Sequence, residues 1–223
     1  MSSFDDPQAV AQYADNPPRL VPGFHALQRM ALLLLAERAP DEARILVLGA
    51  GGGLELKVFA DAQPGWSFDG VDPSAEMLDL ARATTTEHAS RIRLHRGYID
   101  AAPQGPFDGA ACLLTLHFIA KDERLDTLRA LHARLKPGAA FVAAHHSIPG
   151  DADERALWLS RYAAFATASG VPREHTRNAA EAIGARLPFL SPAEDEALMR
   201  QAGFSEVMQF YAAFSFRGWV AIA

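Results

Sequence analysis

The chain has 223 residues, 49% of them hydrophobic and 22% charged, with a net charge of −6 and a single cysteine, Cys112. That length can bury roughly 70% of the unfolded surface without staples. The single cysteine excludes an intrachain disulfide, the composition excludes a disordered or collagen-like chain, and the acidic balance argues against nucleic-acid binding as the main role. The opening MSSFDDPQ is acidic where a signal peptide is basic and then apolar. The longest helical apolar run, MALLLLA, is far too short to span a bilayer, so a cytoplasmic protein without membrane contact is expected.

The first twenty residues are polar and end in NPPRLVPG, whose prolines and glycine break any preceding helix. From Phe24 onward, Phe24, Leu27, Ala31, Leu34 and Leu35 recur at helical spacing. Residues 1–38 are therefore expected to form an N-terminal helical region. Tyr13, Phe24 and His25 are candidates to reach a pocket, against an equal claim for ordinary packing.

Ile45 to Leu48 form a short apolar run of the kind a strand buried on both faces shows, and they lead straight into Gly49, Gly51, Gly52 and Gly53 before a helix-forming stretch. A strand, a glycine turn and a helix are predicted. Glycine lets the backbone take conformations that a Cβ would block, and the free N–H groups of the helix start face a negatively charged group. A nucleotide or nucleoside fits such a turn. The dinucleotide fingerprint needs a small residue where this chain has Leu54, which counts against a nicotinamide site. SFDGVD, Ser67 to Asp72, reads as a second strand that ends in an acid placed to hold a ribose, and PSAEMLDLAR continues as a helix.

RIRLHRG suits a third strand, and PFDGAACLLTLHF, Pro106 to Phe118, a fourth that is central and parallel. KDERLDTLRALHARLK carries Leu125, Leu128, Leu131 and Leu135 on one helical face and is expected to stop at Pro137-Gly138. A further strand follows to His146. Residues 148–190 are rich in breakers and read as an inserted helical cap. SPAEDEALMRQAG then carries a capping-box start at Ser191 and Glu194, and Ser205 to Ala223 holds two strand-like stretches that suggest an antiparallel pair.

VLGAGGG and VDPSAEML resemble the cofactor loop and the ribose-binding acid of class I S-adenosylmethionine-dependent methyltransferases, and LKPGAAFVAAHH resembles a later element of the same family. The resemblance implies an α/β fold: a Rossmann-like, seven-stranded, mostly parallel sheet with helices on both faces and a C-terminal antiparallel pair, in one domain over 1–223. It implies S-adenosyl-L-methionine as cofactor and S-adenosyl-L-homocysteine as product. The cofactor residues it points to are Gly49, Ala50, Gly51, Gly53, Asp72, Pro73, Met77, Tyr98, Ile99 and Leu113. Family members commonly place an acid where this chain has Val47.

Within that superfamily, VPGF, LTLHF and QAGF…FYAAFSFRGWVA are similar in order to elements of the carboxy-S-adenosylmethionine synthase group. That group has a tyrosine at Phe24, an acid at Tyr98 and an asparagine near Leu113. These departures rank methyl transfer to a small molecule first, ahead of carboxylated-cofactor synthesis, an NAD-dependent oxidoreductase and a non-catalytic binding module.

Methyl transfer from a sulfonium is an in-line displacement, so a base is needed only if the acceptor must lose a proton. His117, His145 and His146 are the candidate bases, each weighed against a structural role, and alternation lets at most one of His145 and His146 face the pocket. No carboxylate or cysteine stands at ligand spacing beside them, so no metal is expected. Arg155, Arg161, Arg173, Arg177 and Arg186 stand against Glu174 and Glu181 in the cap, a local +3. An anionic acceptor held by Arg173 and Arg177 is one reading, and a solvated face is the other. Trp158, Tyr162 and Phe165 form an aromatic stripe, either core or acceptor platform. The acceptor's identity and the oligomeric state stay open.

Overall fold

In the computed structural model, which describes residues 13–223, seven strands form one sheet. They are β1 (Arg44–Leu48), β2 (Ser67–Asp72), β3 (Ile92–Arg96), β4 (Phe107–Leu113), β5 (Leu135–His146), β6 (Ser205–Ala213) and β7 (Phe216–Ile222). The helices are α1 (Asn16–Leu20), α2 (Phe24–Ala36), α3 (Leu54–Ala62), α4 (Ala75–Thr84), α5 (Lys121–His132), α6 (Ala152–Ala168), α7 (Arg173–Arg186) and α8 (Pro192–Gln201). The expectations for the first twelve residues, including the absence of a signal peptide, lie outside the described residues. Among the described residues, no helix is long and apolar enough to cross a membrane.

The strand order is β3-β2-β1-β4-β5-β7-β6. The first five strands are parallel, and β7 lies antiparallel between β5 and β6. Strand β1 is fully buried from Ile45 to Leu48 and β4 along its whole length, which is why both read as continuous apolar runs. Order reverses beside β1, between β2 and β4, and in open parallel sheets ligands gather at the carboxyl ends of strands at such a switch.

Two apolar layers flank the sheet. One joins α2, α3 and the inner faces of α6 and α7 through Leu27, Leu35, Phe59, Tyr162 and Ala180. The other joins α5 and α8 through Leu128, Leu131 and Met199. Helix α8 starts on the predicted capping box: Ser191 Oγ accepts from Glu194 N, and the Glu194 carboxylate accepts from Ser191 N at 2.7 Å.

Three boundaries differ from the sequence expectation. Helix α5 ends at His132, and Leu135, Lys136, Pro137 and Gly138 already belong to β5. Leu135 pairs with Phe107 of β4 and Gly138 N donates to Ala223 O, so pairing in the sheet overrides the proline-glycine stop signal. Strand β4 ends at Leu113, because Leu114 turns to φ 58 and a short 3-10 turn, Leu116–Phe118, follows. His117 therefore sits in that turn and not on a strand.

Candidate functional site

The Gly49 to Gly53 turn crosses the carboxyl end of β1 and is fastened to β2: Gly49 N and Ala50 N both donate to Val71 O, at 2.8 and 2.9 Å. Gly49, Gly51 and Gly53 have φ of 77, 49 and 79°. Gly49 also meets a close neighbour, since a Cβ there would lie 2.0 Å from Thr115 Oγ1. Thr115 is held in place by donating to Leu113 O at 3.0 Å.

Asp72 closes the turn from the β2 side. Its Oδ2 accepts from Gly51 N and its Oδ1 from Ser74 N, both at 3.0 Å. Each oxygen keeps a lone pair for a further donor. Burial raises its pKa, against the lowering by the Ser74 and Gly51 hydrogen bonds. Met77, 2% exposed, lies under the turn, its Cε 3.4 Å from where a Gly51 Cβ would stand. Pro73 is exposed, Ile99 half-buried, Leu113 buried at the end of β4, and Tyr98 exposed at 67%. The structure thus gathers Gly49, Ala50, Gly51, Gly53, Asp72, Met77 and Leu113, while Pro73, Tyr98 and Ile99 sit toward the rim on the β2 and β3 side.

Tyr13 lies across the turn, its Oη 3.1 Å from the Cβ position of Gly51 and its ring 2.9 Å from that of Gly52. Burial, then the carboxylates of Glu55 and Asp72, pushes its phenol pKa upward. Phe24 is core, with the exposed His25 against its edge. Val47 is fully buried in the apolar layer. An acid does stand close by: Glu55, in the first turn of α3, is 8% exposed. Its pKa is pushed up to about 8 by burial; its own backbone N–H opposes the shift and Asp72 adds to it. Sequence reasoning passed over Glu55, and the available signal was an acid two places after the glycine turn.

His145 and His146 face opposite sides of β5, as alternation requires. His145, fully buried, places Nε2 3.1 Å from Asp195 Oδ1 on α8, which also lies 3.5 Å from Arg124 Nη1 on α5. Burial pushes Asp195 up, yet His145 and then Arg124 outweigh it and hold the carboxyl below its usual range. On the other face His146 stacks on Phe216 at 4.0 Å, and its Nδ1 lies 3.0 Å from Ser215 Oγ. His146 N donates to His117 Nδ1 at 3.3 Å, which leaves the neutral His117 proton on Nε2. Burial first, and neighbouring histidines second, lowers His146 to about 3 and His117 well below its ordinary value.

In the cap, Tyr162 is buried edge-on to His146, 5.6 Å away, and the half-buried Trp158 is flanked by two guanidiniums: Arg161 at 4.4 Å and Arg217, from β7, at 5.3 Å. Arg155 lies 5.7 Å over Phe189. Among the described residues, none of Arg155, Arg161 and Arg217 forms an ion pair. Arg173 and Arg177 are exposed and line a separate groove of about 1040 Å³ between α6 and α7, with Arg177 4.0 Å from Glu181. The structure does not bring them to Trp158 and Tyr162. The described residues hold one trio with metal-ligand reach, the surface group Asp61, Glu87 and His88, where Lys57 already lies 3.1 Å from Asp61.

Residues 45–138 match the family described as "Methyltransferase domain". The chain is 28% identical over 226 residues to the carboxy-S-adenosyl-L-methionine synthase of Chromohalobacter salexigens, covering 98% of this chain and 82% of that protein. Its fold is similar to an O-methyltransferase family protein from Burkholderia thailandensis (TM-score 0.70, 16% identity, 99% of this chain and 61% of that one). It is also similar to human N-acetylserotonin methyltransferase solved in complex with SAM (TM-score 0.61, 16% identity, 99% and 57%). The chain spans about three fifths of the length of these two solved chains.

Proposed function

We propose that this chain, whose residues 45–138 match a methyltransferase domain, is a class I S-adenosylmethionine-dependent methyltransferase that transfers a methyl group to a small molecule arriving as an anion. The observation that carries the reading is the Gly49 to Gly53 turn closed by Asp72. Its glycines put no side chain of their own between the backbone and a ligand, and the carboxylate keeps acceptor capacity for a ribose hydroxyl pair. These residues fit an adenosyl cofactor. When bound, the cofactor supplies an already activated methyl on a sulfonium.

The protein's own task is then to position the acceptor and exclude water. Helices α6 and α7 supply a cover over the carboxyl end of β5 and the start of β7. An imidazole held near pKa 3, as at His146, is protonated too weakly to serve as a strong base, and His117 is held low in the same way. An acceptor whose nucleophilic atom is already ionised needs no such base. Arg161 and Arg217, flanking Trp158 without carboxylate partners, suit its negative charge. His117, through Nε2–H, is a donor that could orient it.

The likeness to carboxy-S-adenosyl-L-methionine synthases along nearly the whole chain favours a second reading, in which the cofactor itself is carboxylated. Mass spectrometry after incubation with labelled S-adenosylmethionine and a panel of small carboxylates and phenolates separates the two. A labelled methylated acceptor supports the first, and a carboxylated cofactor supports the second. Under the first reading, Arg161→Ala with Arg217→Ala raises KM for the acceptor at least tenfold, whereas Arg173→Ala with Arg177→Ala leaves it unchanged. The reverse pattern would move the acceptor to the groove between α6 and α7.

A further inference from the structure

Glu55 is a buried carboxyl at the rim of the glycine turn for which the fold provides no cation. Among the described residues no lysine, arginine or histidine forms an ion pair with it. Its position is bracketed by the groups whose charge it feels or disturbs: Tyr13 above the turn, Asp72 at the end of β2 and Cys112 near the end of β4. Glu55 stands two residues after Gly53 in the first turn of α3 and is 8% exposed, so its carboxyl is turned into the protein beside the glycine turn and not onto a solvated outer face of α3.

A buried carboxylate without a cationic partner is costly, and a site that keeps one is a candidate to receive a charge from outside. We propose that Glu55 supplies the negative charge that holds the ammonium group of the bound adenosyl cofactor. The inference rests on the cofactor reading above and deepens it. The two acids divide the ligand between them. Asp72 faces the ribose from the β2 side, and Glu55, from the first turn of α3, serves the amino-acid end.

The arrangement has a proton consequence. In the free protein no cation among the described residues pairs with Glu55, and burial, with the Asp72 charge adding to it, keeps it largely protonated at neutral pH. An ammonium placed beside it favours the ionised form, so binding expels the proton into the buffer. Cofactor affinity should therefore rise between about pH 6 and pH 8, the raised pKa of about 8 setting the upper bound.

Calorimetric titration at pH 7 in two buffers of different ionisation enthalpy reads both affinity and protons released. The probes are S-adenosylhomocysteine, which keeps the ammonium, and 5′-methylthioadenosine, which lacks the amino-acid end. The expected result is release of close to one proton with S-adenosylhomocysteine and none with methylthioadenosine. Glu55→Gln should lose the proton release and at least tenfold in affinity for S-adenosylhomocysteine while binding methylthioadenosine as the parent does, which also shows that the variant is folded. Unchanged affinity and proton release in Glu55→Gln, with both ligands still bound, would overturn the role of Glu55 and leave the cofactor reading standing. Absence of binding by either ligand to the parent protein would overturn both.

Discussion

Gly49 is held at φ 77 with Thr115 packed where a side chain would begin, so its residue type is dictated twice, by backbone and by space. Such demands are written directly into a sequence, which is why the turn and Asp72 were legible before any coordinates. Glu55 was not, because a glutamate in the first turn of a helix is ordinarily a solvated partner of the helix dipole, and only the tertiary fold buries this one. Its burial has a stability signature. The folded-state pKa, about 8, lies above the ordinary 4.5, so between those values the folded chain keeps a proton that the unfolded chain has lost. The stabilisation is complete below about pH 4.5 and is lost as pH rises through about 8, on the order of 5 kcal/mol in total. Urea unfolding of the ligand-free protein at pH 5 and pH 8 should show Glu55→Gln gaining stability relative to the parent at the higher pH. Parallel curves for the two proteins would contradict the buried position.

At the scale of elements, Asp195 ties α8 to α5 through Arg124 and to β5 through His145, all three side chains being almost wholly buried. Arg124 further donates to Ile119 O and Pro188 O, so it also fixes the turn after β4 and the entry to α8. Replacing Asp195 by Asn leaves a buried guanidinium without its counter-charge and should cost about 3 to 5 kcal/mol, read as a lower urea midpoint. A loss below about 1 kcal/mol would show that the pair carries little of the packing. Strands β1 and β2 were legible because each is a short apolar run closed by glycine or acid. The start of β5 was not: LKPG carries a helix stop, and only pairing with Phe107 and Ala223 draws it into the sheet. His117 was misplaced for a related reason, since the apolar run LLTLHF hides the bend at Leu114.

Across the whole molecule, the strand order brings the ends of β1, β2 and β4 together at the reversal point and sets the end of β5 and the start of β7 beside them under α6 and α7. The fold class was readable from the alternation of strands and helices. The pairing of Arg161 on α6 with Arg217 on β7 was not, because the two meet through Trp158, across a separation in sequence that no local pattern spans. The central claim is that the side-chain-free turn and Asp72 form one seat for an adenosyl cofactor. It is tested most directly by calorimetric titration of the parent and Asp72→Ala proteins with S-adenosylmethionine. A saturable heat for the parent and an affinity at least tenfold weaker in the variant, about 1.5 to 3 kcal/mol for a charged hydrogen-bond acceptor, is the expected result. No heat with the parent, or equal affinity in both proteins, would contradict it.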